Sequence, residues 1–465
     1  MRPATRGADI GEPYPRGHGR ASRACASLSG LEPATYPGDS VNSRGFDTPD
    51  MMQRTFALLA LTLGLVHTAT AADPPAPGTT LDASNVAQYA TFIDETLVRL
   101  IRDGDFTIEV TAGESIPPHP AFAAATERYR GQASLPAEPG VLLDYVAGRP
   151  FPAPPAHDDP RAGDKLAWNL RYAYAGDAGL VKPFFWQYRN MKTGNIEREL
   201  SFAAMSLRFR HRVVMEPLPE LPNNPSQIFN GLYLQVLDPS DIRNTQVLIH
   251  RLEDDTRQEQ GWLYLGTQRR VRRLPTGQNT DAFLGSDIMI EDFLGYNGRL
   301  MDMTWRYVET REVLLPFYRH NEIALSERKA PPGDFRFVAF GGRGGCFPNV
   351  KWQFRQAYLL EAIPKWDQHP LSKRLYYIDA ETYAPAYGRL YDRNGKLWKF
   401  ALAAYSHPDH HLDENRGSHV PVLDAVTMID LQAEHCTTLQ ARTEVNTEAA
   451  RAADFAVQAL RKKGR

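Results

Sequence analysis

WLYLGTQRRVRRLP, residues 262–275, is the most informative segment of the chain, because a short aromatic and aliphatic strand turns at Gly266 directly into a strand with four arginines. Successive side chains of a strand point to opposite faces, so Trp262 and Tyr264 share one face and the two leucines share the other. The hairpin therefore places apolar surface beside dense positive charge. This combination suits contact with a molecule that has both an apolar and an anionic part.

The region after about residue 180 keeps this character, since aromatic and β-branched segments alternate with turn residues. Strands are predicted at 184–190, 207–214, 246–251, 261–265, 269–273, 303–315, 352–363, 372–379, 387–392 and 397–405. Asn394-Gly395, between the last two, is a strong signal for a hairpin turn. Because strand follows strand without intervening helices, the sheet is predicted to be antiparallel.

The N-terminal part has a different pattern. Apolar spacing predicts helices over 86–101, 121–129 and 162–174, separated by proline-rich chain. We therefore divide the exported chain into a helix and loop region at 72–178, a sheet region at 179–446 and a C-terminal helix or tail at 447–465. A short helix is also expected at 288–294, with Ser286 or Asp287 as its N-terminal cap and Glu291 in its opening turns.

Residues 51–71 have the three-part pattern of a secretory signal. Arg54 precedes the apolar run FALLALTLGLV, and Ala69-Thr70-Ala71 provides small residues for cleavage near Ala71. The apolar run is too short for a stable membrane span, which needs ~20 residues. We expect export to the periplasm, no integral membrane span, and residues 1–50 as a disordered leader or mis-assigned start.

Charge and cysteine content narrow the function further. The formal net charge is −2, which gives no reason to expect a nucleic-acid partner. Cys346 and Cys436 remain after cleavage and, in an oxidising periplasm, are expected to form one disulfide, with two unpaired thiols as the alternative. No nucleophile motif, dinucleotide fingerprint or CxxC pair is present, so we expect no catalytic residues, no enzyme activity and no cofactor.

Four segments together resemble a known family: WLYLGTQRRVRRLP, FLGSDIMIEDFLGY at 283–296, QAYLLEAIPKW at 356–366 and KRLYYIDAETYAPAYGRLYDRNGKLWK at 373–399. They are similar to the LolA-like lipoprotein-localisation superfamily, and most to its large periplasmic branch of unknown function, often labelled outer-membrane lipoprotein-sorting protein. The resemblance implies a mainly β (α+β) fold, in which a strongly curved antiparallel sheet forms an unclosed barrel. Helices would cover the concave face around an apolar cavity.

The resemblance also implies a role. Superfamily members with known roles carry or sense acyl chains or lipoproteins, and genes of this branch accompany outer-membrane barrels and resistance-nodulation-division-type exporters. We therefore expect a periplasmic carrier that binds a hydrophobic ligand (lipid, acyl chain or sterol-like molecule) in the half-barrel cavity and moves it between envelope membranes. The alternative is an envelope adaptor that docks an export pump or outer-membrane barrel through its basic hairpin.

Two sets of residues are candidates for these contacts. The aromatic side chains expected to line the cavity are Phe184, Trp186, Trp262, Tyr264, Trp305, Tyr358, Tyr376 and Trp398. Guanidinium groups bind carboxylates and phosphates with paired hydrogen bonds. The arginines of the hairpin therefore either contact a lipid head group or a partner's acidic patch, or form a solvated edge that pairs with Asp281, Asp287, Glu291 and Asp292. These arginines are Arg269, Arg270, Arg272 and Arg273.

The segment SHPDHHLDEN holds most of a histidine cluster, whose members are His407, His410, His411 and His419. Imidazole and carboxylate suit zinc or copper, but Pro408 places these residues in a loop without the helical HExxH spacing. We expect a mobile polar loop and no metal. A metal-dependent hydrolase built on this loop remains the third alternative.

Overall fold

Antiparallel strands are the main regular element of the structure, a computed structural model that describes residues 73–274, 279–330 and 333–464. The expected leader and signal, residues 1–71, lie outside the described residues. In chain order the strands are β1 (Thr80–Leu81), β2 (Ile108–Thr111), β3 (Ala178–Asn190), β4 (Ile196–Arg208), β5 (Ile228–Asp238), β6 (Gln246–Leu252), β7 (Gln260–Leu265), β8 (Arg270–Arg273), β9 (Met303–Leu315), β10 (Phe317–Tyr318), β11 (Leu325–Ala330), β12 (Phe335–Val338), β13 (Phe340–Gly341), β14 (Phe347–Pro348), β15 (Lys351–Pro364), β16 (Leu371–Asp379), β17 (Pro385–Asp392), β18 (Leu397–Ser406), β19 (Val422–Asp430) and β20 (His435–Val445).

Helices are few and short. The α-helices are α1 (Glu95–Arg102), α2 (Pro120–Arg128), α3 (Ala162–Arg171) and α4 (Val457–Lys463). The 3-10 helices are Val86–Phe92 and the shorter segments Phe283–Gly285, Ile290–Asp292, Leu300–Asp302, His320–Glu322, Arg343–Gly345, Pro408–His410, Asp413–Asn415 and Ala452–Phe455. The helix predicted over 86–101 is divided because the Asp94 side chain accepts a hydrogen bond from the backbone N–H of Thr96 and starts a new helix there.

The main sheet combines two meanders. Strands β3 to β8 pair in sequence, β15 to β20 pair in sequence, and an antiparallel β20–β3 ladder joins the two runs. β9 pairs with the other side of β15, so β8 and β9 are the two edges of this run of strands. The predicted fold class is confirmed: the sheet is large, curved, antiparallel and not closed into a barrel.

One face of the sheet, here called the inner face, carries Phe184, Trp186 and Phe202. The chain leaves edge strand β8 and must reach edge strand β9 at the opposite side, so residues 279–302 run across this face. We call them the crossing segment. Its apolar side chains join the inner-face cluster, which extends along the sheet from Leu390 on β17 to Val247 on β6.

The outer face is covered by the remainder of the chain. α1, β2 and residues 313–350 pack on β15 to β20, whereas Phe455 and Leu460 of the C-terminal part pack on β5 to β7. The expected disulfide is confirmed: Cys346 and Cys436 are bonded and fully buried, with a Cα–Cα distance of 6.0 Å.

The strand predicted at 207–214 is wrong beyond its first two residues, since β4 ends at Arg208. The cause is the buried carboxylate of Asp177. Its Oδ2 accepts hydrogen bonds from the backbone N–H groups of Val213, Val214 and Met215 at 2.7–3.1 Å. These N–H groups converge on one point, so the chain there cannot lie extended in a ladder.

Candidate functional site

The inner face is strongly aromatic around β3 and β4. The ring of Trp186 lies 5.5 Å from Phe202 and 5.5 Å from Phe283 of the crossing segment, centroid to centroid. Phe184 lies 5.1 Å from Phe202, and Phe283 lies 5.2 Å from Phe293. Trp186 is only 2 % exposed, because the crossing segment covers it. Two of the predicted cavity residues, Phe184 and Trp186, therefore lie on the inner face.

A second group of predicted residues lies at the other end of the inner face. Trp305 on β9, Tyr358 on β15 and Tyr376 on β16 form one buried cluster together with Trp168 of α3. Tyr296 of the crossing segment joins this group, with its ring 5.1 Å from Trp305. Helix α3 and the end of the crossing segment thus close the face where β9 forms its edge.

The remaining predicted aromatics lie elsewhere. Trp398 borders the inner-face cluster and donates from Nε1 to Asp430 at 2.7 Å. Trp262 and Tyr264 lie on the outer face, where Tyr264 packs under the C-terminal helix and donates to the carbonyl of Gly464 at 3.3 Å. Their assignment to the cavity is wrong, because the alternation of β7 turns Leu263 to the inner face instead.

Asp287 is the first polar anchor of the crossing segment. Its Oδ2 accepts hydrogen bonds from His435 Nδ1 at 2.8 Å and from the hydroxyl of Thr437 at 2.7 Å, both on β20. The carbonyl of Asp287 accepts a hydrogen bond from Lys399 Nζ on β18, which is buried on the same face. The prediction that Asp287 or Ser286 caps a helix is wrong, because these contacts direct Asp287 into the sheet and only a 3-10 turn follows.

Glu291 is the second polar anchor. Its carboxylate accepts hydrogen bonds from Arg374 Nη2 at 2.6 Å and from His369 Nε2 at 3.0 Å. Leu371 donates its N–H to Nδ1 of the same imidazole, so Nε2 is the protonated nitrogen. Burial raises the pKa of Glu291, but the Arg374 charge and the His369 hydrogen bond outweigh burial and lower the pKa to about 2. Glu291 is therefore an anion at neutral pH.

Arg374 and His369 were not among the residues singled out from the sequence. Arg374 follows the inward alternation of Tyr376 and Ile378 on β16, so a cation at that register position is the signal that could have found it. His369 has no comparable signal, because it lies in the turn before β16 and its partner is 78 residues away.

Two small cavities lie in the described chain, with volumes of about 30 and 10 Å³. The first lies among Pro139, Trp168 and Trp305, and the second among Phe122, Arg149 and His419. A site for a drug-sized or lipid-sized molecule takes roughly 300–1,000 Å³. Neither of these two cavities is the apolar cavity that the resemblance implies, and the crossing segment packs on the aromatic surface where that cavity is expected.

The predicted arginine strand is edge strand β8 together with its turn. Arg269, Arg270, Arg272 and Arg273 are all exposed, and Arg272 donates to Gln268 in the turn at 2.9 Å. Three of their four expected acidic partners are engaged elsewhere, since Asp287 binds His435, and Glu291 and Asp292 both accept from Arg374. Within the described ranges none of the four arginines forms an ion pair with a carboxylate.

The histidines of the predicted loop join two polar clusters. His411 lies with His320 around the buried carboxylate of Asp424, at 2.9 and 2.7 Å, while His407 and His410 lie beside Glu114. Both ring nitrogens of His320 are engaged, one by Asp424 and the other by the carbonyl of Arg336 at 2.9 Å. Nδ1 of His320 and Nε2 of His411 both face the Asp424 carboxylate, so the contacts of this cluster are hydrogen bonds around a buried anion. The loop is packed, contrary to the prediction of mobility.

In the described part of the chain, no helix is both long enough and apolar enough to cross a membrane. The uncharacterized protein PA3922 of Pseudomonas aeruginosa is 24% identical over 335 residues, which cover 70% of this chain and 67% of that protein.

Two solved structures are similar at lower identity. A DUF1329 family protein from Desulfovibrio piger is 14% identical with a TM-score of 0.43, and the match covers 64% of this chain and 98% of that chain. The LolA superfamily protein NE2245 from Nitrosomonas europaea is 11% identical with a TM-score of 0.36, over 62% of this chain and 94% of that chain. The model of the family described as protein of unknown function (DUF1329) matches residues 80–461, so the chain belongs to the DUF1329 family, in agreement with the expected branch of unknown function.

Proposed function

We propose that the protein is a periplasmic carrier that binds a hydrophobic molecule on its inner face and moves it between envelope membranes. The observation that supports this proposal is an aromatic surface on a curved sheet that is covered by a segment without ladder pairing. Phe283, Ile288 and Met289 of this segment contact the surface that a guest would occupy.

The attachment of the crossing segment permits its replacement by a guest on the inner face. Among the described residues, its backbone bonds to itself, as from Phe283 N to the carbonyl of Ile288 at 2.8 Å. At its end, one backbone hydrogen bond connects it to the turn after β15, from Lys365 N to the carbonyl of Asp302. The other attachments involve side chains. In the first part of the segment they lie at Leu284, Asp287, Glu291 and Asp292. At its end they lie at Asn297, Arg299, Leu300 and Met301. Moving the segment therefore breaks no strand pairing of the sheet.

In this proposal a guest replaces the apolar side chains of the crossing segment. The closed conformation competes with binding, so the apparent dissociation constant equals the intrinsic value divided by the fraction of open molecules. Burying several hundred Å² of apolar guest surface at roughly 25 cal/mol per Å² contributes several kcal/mol, which is enough to offset such a closed state.

The test weakens closure without changing the sheet. Phe293→Ser removes a half-buried ring of the crossing segment that packs on Phe283 and Trp186. The loss of about 1–2 kcal/mol of closure should tighten binding of the neutral probe N-phenyl-1-naphthylamine by roughly 5- to 30-fold, measured by fluorescence titration.

Leu294→Ser is the matched control, because Leu294 is the next residue and is 57 % exposed. It should bind the probe like the unmodified protein. If neither variant binds the probe, or if both variants bind it equally, the crossing segment is a permanent part of the core and the carrier proposal fails.

A second candidate function is supported by the exposed arginines of β8. An edge strand with clustered charge is protected from pairing with other strands, yet it remains available to an acidic partner. In this reading the protein is an envelope adaptor that docks an export pump or an outer-membrane barrel through this edge. Arg270 and Arg272 are exposed at the rim of the inner face, opposite Leu265 and Leu263, so charge reversal there combined with a neutral probe separates docking from guest binding.

A further inference from the structure

Arg374 is a fully buried cation on an apolar surface. On β16 it pairs across the ladder with Leu390 on one side and Ala362 on the other. Leu390 belongs to the same apolar cluster as Trp186 and Phe202. Of the three guanidinium nitrogens, Nη2 donates to Glu291 and Asp292, whereas Nε and Nη1 have no hydrogen-bond partner among the described residues.

The hydroxyl of Tyr376, two residues further along the same face, also has no hydrogen-bond partner within the described chain. Burial raises the pKa of Tyr376, so its hydroxyl keeps its proton and remains a donor at neutral pH. Arg374 and Tyr376 thus place several unused donors at one point of the inner face. A guanidinium with two free nitrogens matches the two oxygens of a carboxylate.

The crossing segment already imitates an amphiphile in this position. Its Glu291 places a carboxylate on Arg374, while Phe283, Ile288 and Met289 extend from it over the aromatic surface as far as Trp186. One end is an anion held by a buried cation and the other end is apolar. This is the arrangement of charge and apolar surface that a fatty acid would present.

Resting on the carrier function proposed above, we infer that the guest is a single-chain amphiphile with a carboxylate head and that Arg374 binds this head in place of Glu291. Opening of the crossing segment removes both Glu291 and Asp292 from Arg374. An unpaired buried cation is costly, and a guest carboxylate supplies the missing counter-ion whereas a neutral head does not. A site with buried donors discriminates strongly against an analogue that cannot pair with them.

The experiment compares two guests with the same chain and different heads. Oleate and oleyl alcohol displace N-phenyl-1-naphthylamine from the full exported chain, each below its aggregation threshold, in the unmodified protein and in Glu291→Gln. Glutamine keeps the shape of the side chain but removes the competing charge. We expect oleate to bind about tenfold tighter than oleyl alcohol in both proteins, and Glu291→Gln to improve oleate more than the alcohol.

A double variant, Glu291→Gln with Arg374→Met, removes the cation and its main counter-ion together, which avoids leaving Glu291 as an unpaired buried charge. Its preference for oleate should disappear while binding of the alcohol persists. If this variant does not fold, the comparison of oleate with oleyl alcohol in Glu291→Gln and in the unmodified protein still tests the head-group assignment.

The outcomes separate this inference from the carrier proposal. Equal displacement by oleate and oleyl alcohol in the unmodified protein and in Glu291→Gln would overturn the head-group assignment and leave the carrier standing. Failure of both guests in every variant, including Phe293→Ser, would overturn the carrier itself. Retention of the oleate preference in the folded double variant would show that another group binds the head.

Discussion

Asp424 is the centre of a buried polar cluster on the outer face. Its carboxylate accepts hydrogen bonds from His320 Nδ1 at 2.7 Å, from His411 Nε2 at 2.9 Å and from the hydroxyl of Tyr318 at 3.1 Å. His320 also donates from Nε2 to the carbonyl of Arg336, so this imidazole has two acceptors and is doubly protonated. The cluster therefore ties β12 and the 407–420 loop to β19 by charge as well as by packing.

The pH dependence of stability follows from His320. Burial lowers the pKa of His320, but the Asp424 carboxylate outweighs burial and the folded-state pKa is raised. The contribution of His320 to the free energy of unfolding is complete below the unfolded histidine pKa of about 6.5. It is lost as the pH rises through the raised pKa of the folded state. We expect His320→Asn to be roughly 2–3 kcal/mol less stable than the unmodified protein at pH 6, with a smaller difference at pH 9, by urea denaturation.

At acid pH the stability changes in the opposite direction, because it is Asp424 that gains a proton. Burial raises the pKa of Asp424, yet His320 and His411 hold that pKa well below its usual range, so its contribution is lost as the pH falls below about 4. His157→Asn, at an exposed position, is the matched control for the histidine variant. A difference between His320→Asn and the unmodified protein that stays constant from pH 6 to pH 9 would contradict the assigned ion pair.

Among the structural elements, the crossing segment is the one that covers the candidate site. It connects edge strand β8 to edge strand β9, and the two edges lie at opposite ends of the sheet order. A chain that joins opposite edges of a curved sheet must cross one face or pass around it. Here it crosses the inner face, so the element that covers the aromatic surface is also the element that a guest has to displace.

The disulfide fixes the element on the opposite face. Cys346 lies at the end of a glycine-rich turn in which Gly344 has a φ of +65°, and a Cβ there would lie 2.5 Å from the Cα of Met191. Cys436 lies on β20 beside the β20–β3 ladder that joins the two meanders. The bond thus holds the turn against the centre of the sheet.

Removing this bond should destabilise the protein without opening the inner face. We expect the Cys346→Ser/Cys436→Ser variant to lose about 2–5 kcal/mol of unfolding free energy, because the unfolded chain gains freedom and a packed contact is lost. Urea denaturation measures this loss, and the unmodified protein denatured in reductant should match the variant. An unchanged urea midpoint would contradict the pairing.

In the whole molecule, local patterns predict most of the long strands of the main sheet but not their arrangement. The hairpins with strong alternation, such as β17–β18 with its Asn394-Gly395 turn, were predicted within one or two residues. β5, β19, β20 and all but the last two residues of β4 were missed, because polar residues interrupt their apolar pattern. Long-range β20–β3 pairing decides which strands are edges, and no local signal reveals it.

The sequence likewise predicts some features of the candidate site and not others. Alternation correctly separated Trp262 and Tyr264 from the neighbouring leucines, but only the tertiary structure determines which of the two faces is inner. The role of Arg374 depends on Glu291, a partner 83 residues away. Side chains that meet through such distant pairings are outside the reach of periodicity.

The adaptor alternative concerns the charge of the whole molecule. The exposed ends of α4, Arg461 and Lys462, are close in structure to β8, because α4 packs against β6, β7 and β8. The protein has a net charge of −2, so this basic edge is a local feature rather than an overall bias. A local cluster of one sign attracts an acidic surface, and the attraction weakens as salt rises.

Reversing charge at this edge tests docking separately from guest binding. If the edge docks an envelope partner, Arg270→Glu/Arg272→Glu should reduce photo-crosslinking from a reactive residue at Gln268 to that partner by about tenfold or more. Uptake of N-phenyl-1-naphthylamine should be unchanged, because Arg270 and Arg272 are exposed at the rim of the inner face, opposite Leu265 and Leu263, and the probe carries no charge. Arg393→Glu/Lys396→Glu makes the same change of charge on the exposed β17–β18 turn and should retain the crosslink. Equal crosslinking in both charge-reversed proteins would leave the inner face, not the edge, as the functional surface.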